Sequence, residues 1–421
     1  MLQRRNRSRA AGRLVSLLIS AAAASIGPDI LMAQDSTEIS SGLELGGLVQ
    51  EAVENNPEIR AAAQRAEAAK AMVPQARTLP DPMIILSYED MPVRETMYGV
   101  SQEFPFPGKL KLKGEIASRE AGQAEQEYLA VRLGVTARLK EAYYELQLVR
   151  RSTEIIEKSR QALVQFSRAA ESGYTVGKMA QTDVFRAQAE VSRSLARLAT
   201  VRQRQQSVSA ELARILNRST SGPLNVPGEI RPMAVRRSQA ELIDLIDQAP
   251  MLLARSEGVE RGSAAVELAH REYLPDFEIG VQGVRDEPMG DYGYQLMLNV
   301  TVPLYFATKQ RYGVRQAVAS KAEAVGDLQA SRQELVMRVR DNIAQVERAD
   351  ELIGLLEKAI IPQAQLTLSS ARSGYAVGRV DFLTLLNSLF TLQENELELQ
   401  SEIVEHEKAR ARLEEIIGEE P

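Results

Sequence analysis

Residues able to hold a metal ion or attack a substrate are few in this chain and far apart. It has no cysteine, which removes thiolate nucleophiles, thiolate metal ligands and disulfides together. Its two histidines, His270 and His406, stand alone, without the second imidazole four residues away that a helical zinc site needs. A solitary histidine is more often a packing or surface group than a ligand. Neither a glycine-rich phosphate loop nor a nucleophile elbow occurs. The 57 Asp and Glu residues are spread along helical stretches, where they read as solvated faces and i,i+4 partners. An enzyme is not expected, and neither is a metal centre or a cofactor.

The chemistry that recurs is conformational. Residues 172–178 read Ser-Gly-Tyr-Thr-Val-Gly-Lys and residues 373–379 read Ser-Gly-Tyr-Ala-Val-Gly-Arg. Ser172, Gly173, Tyr174, Val176 and Gly177 recur as Ser373, Gly374, Tyr375, Val377 and Gly378, and the seventh position stays basic. Each copy lies between long runs of helical hydrophobic spacing. Glycine enters the left-handed conformation just past a helix end without the steric cost of a β-carbon. Each copy therefore predicts the tight turn at the tip of a helical hairpin. Recurrence at about half the chain length marks a tandem duplication.

The elements around the tips follow in order. Arg4, Arg5, Arg7, Arg9 and Arg13, the alanine-rich apolar run 14–26 and Ala33 predict a secretory signal over 1–33, with an N-terminal membrane anchor as the alternative. The apolar run is short for a span, and no cysteine follows it for lipidation. Removing 1–33 takes five arginines and one aspartate and moves the formal charge from −6 to −10. An acidic mature chain argues against nucleic acid as a partner. No later apolar run is long enough for a transmembrane helix.

The first repeat, 34–217, opens with a polar lead-in over 34–43 and a short amphipathic helix over 43–55. A second helix runs from Glu58 to about Met72, ended or kinked at Pro74 and stopped by Leu79-Pro80-Asp81-Pro82. The period then falls from 3.6 to 2, giving two strands over about 83–104 around a turn at 90–95. A hairpin of long helices over about 108–217 follows, its first arm free of proline and ~95 Å long. After a Pro- and Gly-containing linker, 218–237, the order returns in a second repeat, 238–421. Its strands fall at about 276–303, and its hairpin, about 309–417, has a first arm predicted unbroken from Lys309 to Ser373. The fold class expected is α+β, ααββαα twice.

The clearest strand carries Tyr292, Tyr294, Leu296, Leu298, Val300 and Val302 on one face, and we expect that face to meet lipid. Tyr88, Tyr292, Tyr294 and Tyr305 fall near strand ends, where interfacial aromatics sit in membrane barrels. Four strands cannot close a barrel, and a bilayer tolerates no open sheet edge, so three copies with twelve strands are expected. A small soluble sheet packed on helices is the alternative. The charged helices would extend into an aqueous compartment as a hollow cylinder, or as a solid coiled-coil spacer.

These residues resemble the TolC family of outer-membrane efflux channels. The resemblance covers the mature chain and rests on the duplicated order, Asn56-Pro57, the Leu-Pro-Asp triplets before the strands, and both Gly-Tyr-x-Val-Gly tips. The octapeptide 102–109, Gln-Glu-Phe-Pro-Phe-Pro-Gly-Lys, is similar to the strand-to-helix junction of the heavy-metal, CzcC- or CusC-like branch. The resemblance implies a homotrimer in the outer membrane, with a barrel set on a periplasmic helical tunnel. A periplasmic adaptor and an inner-membrane pump of the RND type are the implied partners, with Gly173, Tyr174, Val176, Gly177, Gly374, Tyr375, Val377 and Gly378 as docking tips. Plain turn geometry is the other reading of those glycines. Asp183 matches an acidic position near the closed aperture. Its cationic partner falls on Val380, so Arg379, Lys178 or Arg186 would have to substitute. The paired aspartates of TolC align with Thr384 and Asn387, which departs from the family's carboxylate gate. Asp381 either faces the lumen or caps the last helix. A soluble periplasmic coiled-coil adaptor and a type I protein-secretion outlet are the competing functions.

Overall fold

One helix of 67 residues, α3 (Lys109–Thr175), is the element against which most others are placed. It spans roughly 100 Å, far more than intrinsic propensity can hold, so packing must support it along its length. The computed structural model describes residues 45–90, 94–219, 230–286 and 290–419, which fall in one unit, Gly42–Pro421. The expected signal, the lead-in, the middle of the linker (220–229) and the strand turns at 91–93 and 287–289 lie outside the described residues.

The first repeat comprises α1 (Leu45–Asn55), α2 (Pro57–Arg77), β1 (Met83–Glu89), β2 (Glu95–Phe104), α3 and α4 (Gln181–Ile215). In the second, α5 (Gln239–Leu245) precedes α6 (Pro250–Arg271), β3 (Asp276–Asp286) and β4 (Tyr292–Thr301). The last helices are α7 (Gln310–Leu355), α8 (Ile361–Ala376) and α9 (Phe382–Ile417). The order is the expected ααββαα pair. Asn56 caps α2 by accepting from the amides of Glu58 and Ile59, with Pro57 at the first helical position, where its missing donor costs nothing. Ser238 and Glu241 form a reciprocal capping box on α5.

Helices α2, α4, α6 and α9 all lie against α3, and α7 lies against α6 and α9. Where α1, α3, α4 and α9 meet, Leu48, Leu139, Leu146, Leu212, Ile215 and Val404 form a closed cluster. Each such side chain contributes about 1.5–3 kcal/mol by leaving water. A second cluster joins α5, α7 and α9 through Leu242, Val339 and Leu413.

All four strands form one antiparallel sheet in the order β1-β2-β3-β4. Its register lines up the apolar positions. Ile84 faces Val100, Val100 faces Val281, and Val281 faces Leu296, an unbroken row across the sheet. The opposite face is more polar: Gln282 donates to Gln295 at 2.8 Å, and Asn299 donates to Glu278 at 3.2 Å.

Three expectations require correction. Helix α2 is not ended at Pro74 but runs on to Arg77. Pro74 lacks a donor but still accepts, and the Thr78 hydroxyl donates to its carbonyl at 2.7 Å. The first arm of the second hairpin is not one unbroken α-helix. A π-turn, Leu356–Ile360, separates α7 from α8, with Pro362 in the first turn of α8. Proline cannot donate to the preceding turn and its ring crowds the carbonyl four residues back, and a widened turn relieves both. Val302 lies just past β4, which ends at Thr301, although it remains exposed.

Candidate functional site

Both tips close with the same hydrogen bonds. Gly177 N–H donates to Tyr174 O at 2.9 Å and Lys178 N–H to Gly173 O at 2.9 Å. Gly378 N–H donates to Tyr375 O at 3.0 Å and Arg379 N–H to Gly374 O at 2.9 Å. These are the paired bonds of a Schellman motif, with Gly177 and Gly378 at φ +71° and +72°. The other glycine of each copy serves close approach. A Cβ at Gly173 would lie 2.5 Å from Met179 Sδ, and one at Gly374 would lie 2.5 Å from Val380 Cγ2. Turn geometry therefore accounts for all four glycines without a partner.

The tips are alike in backbone and unlike in side chain. Val176 and Val377 are 64% and 68% exposed, and Tyr174 is 45% exposed. Tyr375 is 6% exposed, which removes its side chain from the expected docking surface. Its ring packs on Phe382, with centroids 5.4 Å apart, and its hydroxyl lies 3.0 Å from Met179 Sδ of the first tip. Burial, with the nearby Asp183 carboxylate adding to it, pushes the Tyr375 phenol up to about 12. Around this pair Leu163, Phe166, Ala187, Leu385 and Leu389 form one cluster that joins the ends of both hairpins.

The expected aperture residues divide. Asp183 is half-buried in the first turn of α4 and makes no ion pair among the described residues with Arg379, Lys178 or Arg186. Asp381 caps α9, accepting from the Thr384 amide at 3.0 Å. Hydrogen bonding from Thr384 chiefly, and the charge of Arg186 as a smaller cause, hold the Asp381 carboxyl below its ordinary value. Arg379, Thr384 and Asn387 are exposed. Asp381, Thr384 and Asn387 open an exposed polar stripe on α9 that Thr391, Glu394 and Glu398 continue, at the three- and four-residue steps of one helix face. That continuation is readable in the sequence but was not among the expected residues.

On the sheet, Tyr292, Tyr294, Leu296, Leu298 and Val300 are exposed by 45% to 83%. Ile84, Leu86 and Tyr88 of β1 are 76%, 78% and 60% exposed on the same face. A contiguous apolar face of this size marks a contact with lipid or protein.

A buried charge network escaped the sequence reading. His406, Glu407 and Arg410 of α9 are 0%, 1% and 6% exposed. Glu407 Oε1 accepts from the Met233 amide at 2.9 Å and lies 3.1 Å from His406 Nδ1. Its Oε2 accepts from the Tyr144 hydroxyl at 3.2 Å and from Arg410 Nε at 3.3 Å. Arg410 also pairs with Glu414 at 3.2 Å, and His406 Nε2 lies 3.4 Å from Asp350. Burial pushes the Glu407 carboxyl up, but His406, the Met233 amide and Arg410 together outweigh it and hold the carboxyl below its ordinary value. The network ties α3, α7 and α9 to the segment entering the second repeat. Among the described residues no group of three or more His, Asp or Glu is placed to hold a metal ion. No described helix is long and apolar enough to cross a membrane.

A family model described as "Outer membrane efflux protein" matches residues 48–218 and 243–419, one match on each repeat. The chain is 20% identical over 420 residues to the cobalt-zinc-cadmium resistance protein CzcC of Cupriavidus metallidurans, covering 96% of this chain and 100% of that protein. It is 24% identical over 382 residues to the outer membrane protein TolC of Vibrio cholerae, covering 83% and 86%. Its fold is similar to crystal structures of CusC, described with transmembrane channel formation, with a TM-score of 0.77 at 16% identity over 90% of this chain and 92% of that one.

Proposed function

The chain belongs to the outer membrane efflux protein family, and from that premise we propose that it is the outer-membrane conduit of a tripartite metal-efflux system. Three copies place their sheets edge to edge in the outer membrane, and their helical hairpins surround a periplasmic tunnel. The observation that carries this reading is the sheet. Its four strands bury no core on the apolar face, and both of its edges are open within the chain. Only closure by further strands gives such edges partners in hydrocarbon. A soluble adaptor has no use for that face.

At the far end, the exposed Val176, Val377 and Tyr174 form the surface on which a periplasmic adaptor docks, and an RND-type pump supplies the substrate. The aperture is lined from α9 by Asp381, Thr384 and Asn387, with Glu394 and Glu398 above them. Asp183 and Arg379 flank it. Acidic groups along one stripe favour cations over anions by their summed field. That stripe, and the likeness to a protein named for cobalt, zinc and cadmium resistance, support divalent metal ions as substrates. The conduit itself performs no catalysis in this reading.

Deleting the gene in its host and measuring tolerance to, and cell-associated content of, cobalt, zinc and cadmium tests the substrate. The expected result is lower tolerance and higher retained metal, both restored by the intact gene. Unchanged metal content with increased retention of organic dyes would replace metals by small organic compounds as the substrate.

A further inference from the structure

The duplication gives one strand-to-helix junction a partner inside the chain and leaves its twin open. The Leu-Pro-Asp triplets align Asp81 with Asp276, and the prolines that follow the second strands align Pro105 with Pro303. The hairpin registers agree with this alignment. Met83 opposite Ser101 in the first pair maps onto Glu278 opposite Asn299, which is the pairing seen in the second.

At the β2–β3 junction, Lys109 is buried and donates from Nζ to Asp276 at 2.9 and 3.0 Å and to Leu274 O at 3.1 Å. The lysine that opens the second long helix is Lys309, its N-cap, which stands six residues past Pro303 where Lys109 stands four past Pro105, and the twin of Asp276 is Asp81. Both are exposed, and among the described residues neither side chain makes a hydrogen bond or an ion pair. Leu304, Tyr305 and Phe306, between β4 and α7, are 74%, 75% and 59% exposed. Strands β1 and β4 are three strand spacings apart, ~14 Å, so the chain cannot join them to each other.

We propose that β4 pairs with β1 of a neighbouring copy in the register that the β2–β3 seam dictates, and that Lys309 pairs with Asp81 of that copy. Carried through the repeat alignment, Glu103 opposite Glu278 becomes Thr301 opposite Met83. Val300 then faces Ile84, Asn299 faces Ile85, Leu298 faces Leu86 and Met297 faces Ser87. Apolar positions meet apolar positions, as they must, because a one-residue slip would turn every side chain to the wrong face. The second seam is weaker in charge than the first. Glu272, which lies 3.6 Å from Lys109, maps onto Arg77, so the Lys309 pair rests on Asp81 alone.

The inference rests on the proposed trimer, and its test separates the two. Because the chain has no native cysteine, paired cysteines report a register cleanly in the full-length protein in outer membranes. Met297→Cys with Ser87→Cys should oxidise to covalent dimers and trimers on non-reducing gels. Gln295→Cys or Asn299→Cys with Ser87→Cys, each shifted by two residues, should cross-link far less. Strongest linkage in a shifted pair, in a protein still trimeric on unheated gels, overturns the register and leaves the function standing. No oligomer in any variant, nor in the parent, overturns the trimer itself. For the ion pair, Lys309→Glu and Asp81→Lys should each lower the temperature at which the trimer dissociates, and the double reversal should recover it. Single variants indistinguishable from the parent, or a double variant no better than the singles, overturn the pair.

Discussion

Glu407 carries the most consequential residue-level expectation. Removing one partner of a buried ion pair leaves the other charged and unsolvated, at a cost of about 3–5 kcal/mol. Glu407→Gln should fall at the low end of that range, since Arg410 keeps Glu414 at 3.2 Å, and chemical denaturation of the purified protein measures it. The same carboxylate sets an acid limit. Its folded-state pKa lies below its ordinary 4.5, so its stabilisation is complete above that value and is lost as the pH falls through the depressed one. Denaturation midpoints should drop below about pH 4.5 in the parent and change less in Glu407→Gln. At the tips, Val176→Asp with Val377→Asp separates docking from turn geometry. The pair should abolish efflux while the protein still reaches the outer membrane as a trimer, and loss of assembly would mean that the valines hold the turn. The seven-residue repeats made the turns legible because a Schellman motif is local chemistry. They could not reveal that Tyr174 is exposed and Tyr375 buried. That difference comes from Phe382 and Met179, which tertiary packing supplies. His406 was legible only as solitary, because Asp350 reaches it from α7 and the Met233 amide and Tyr144 hydroxyl complete the network through Glu407 from distant segments.

Among elements, the sheet makes the sharpest distinction between its two faces. Leu296→Arg places a charge on the face read as lipid-contacting, with an expected cost of about 2–4 kcal/mol near the bilayer midplane. Asn299→Arg, on the polar face, should be tolerated. Refolding into vesicles followed by denaturant titration compares the two, and equal penalties would mean that both faces meet the same environment. Period-2 alternation, with Leu-Pro-Asp before and proline after, located these strands to within a few residues, because pleat and proline act locally. The interruption before α8 was missed although Pro362 was in plain view. Helical spacing continues on both sides of it, and hydrophobic periodicity does not register a single widened turn. Pro74, expected to end or kink α2, stands one turn before its end at Arg77: it removes one bond to the preceding turn, and the helix runs three residues past it.

For the whole molecule, the duplicated order, the open sheet edges and the match of both halves to one family converge on a protein that is incomplete as a single chain. Twelve strands from three copies are expected from a closure requirement rather than from a pattern, since no sequence feature counts subunits. The proposed register between copies takes the observed β2–β3 pairing as its template, which no sequence pattern supplies. Fractionating cells that express the full chain, then running unheated and boiled samples on denaturing gels, tests the conduit most directly. The expected result is an outer-membrane protein that migrates as a trimer until boiled. A soluble periplasmic protein that runs as a monomer under both conditions would contradict it.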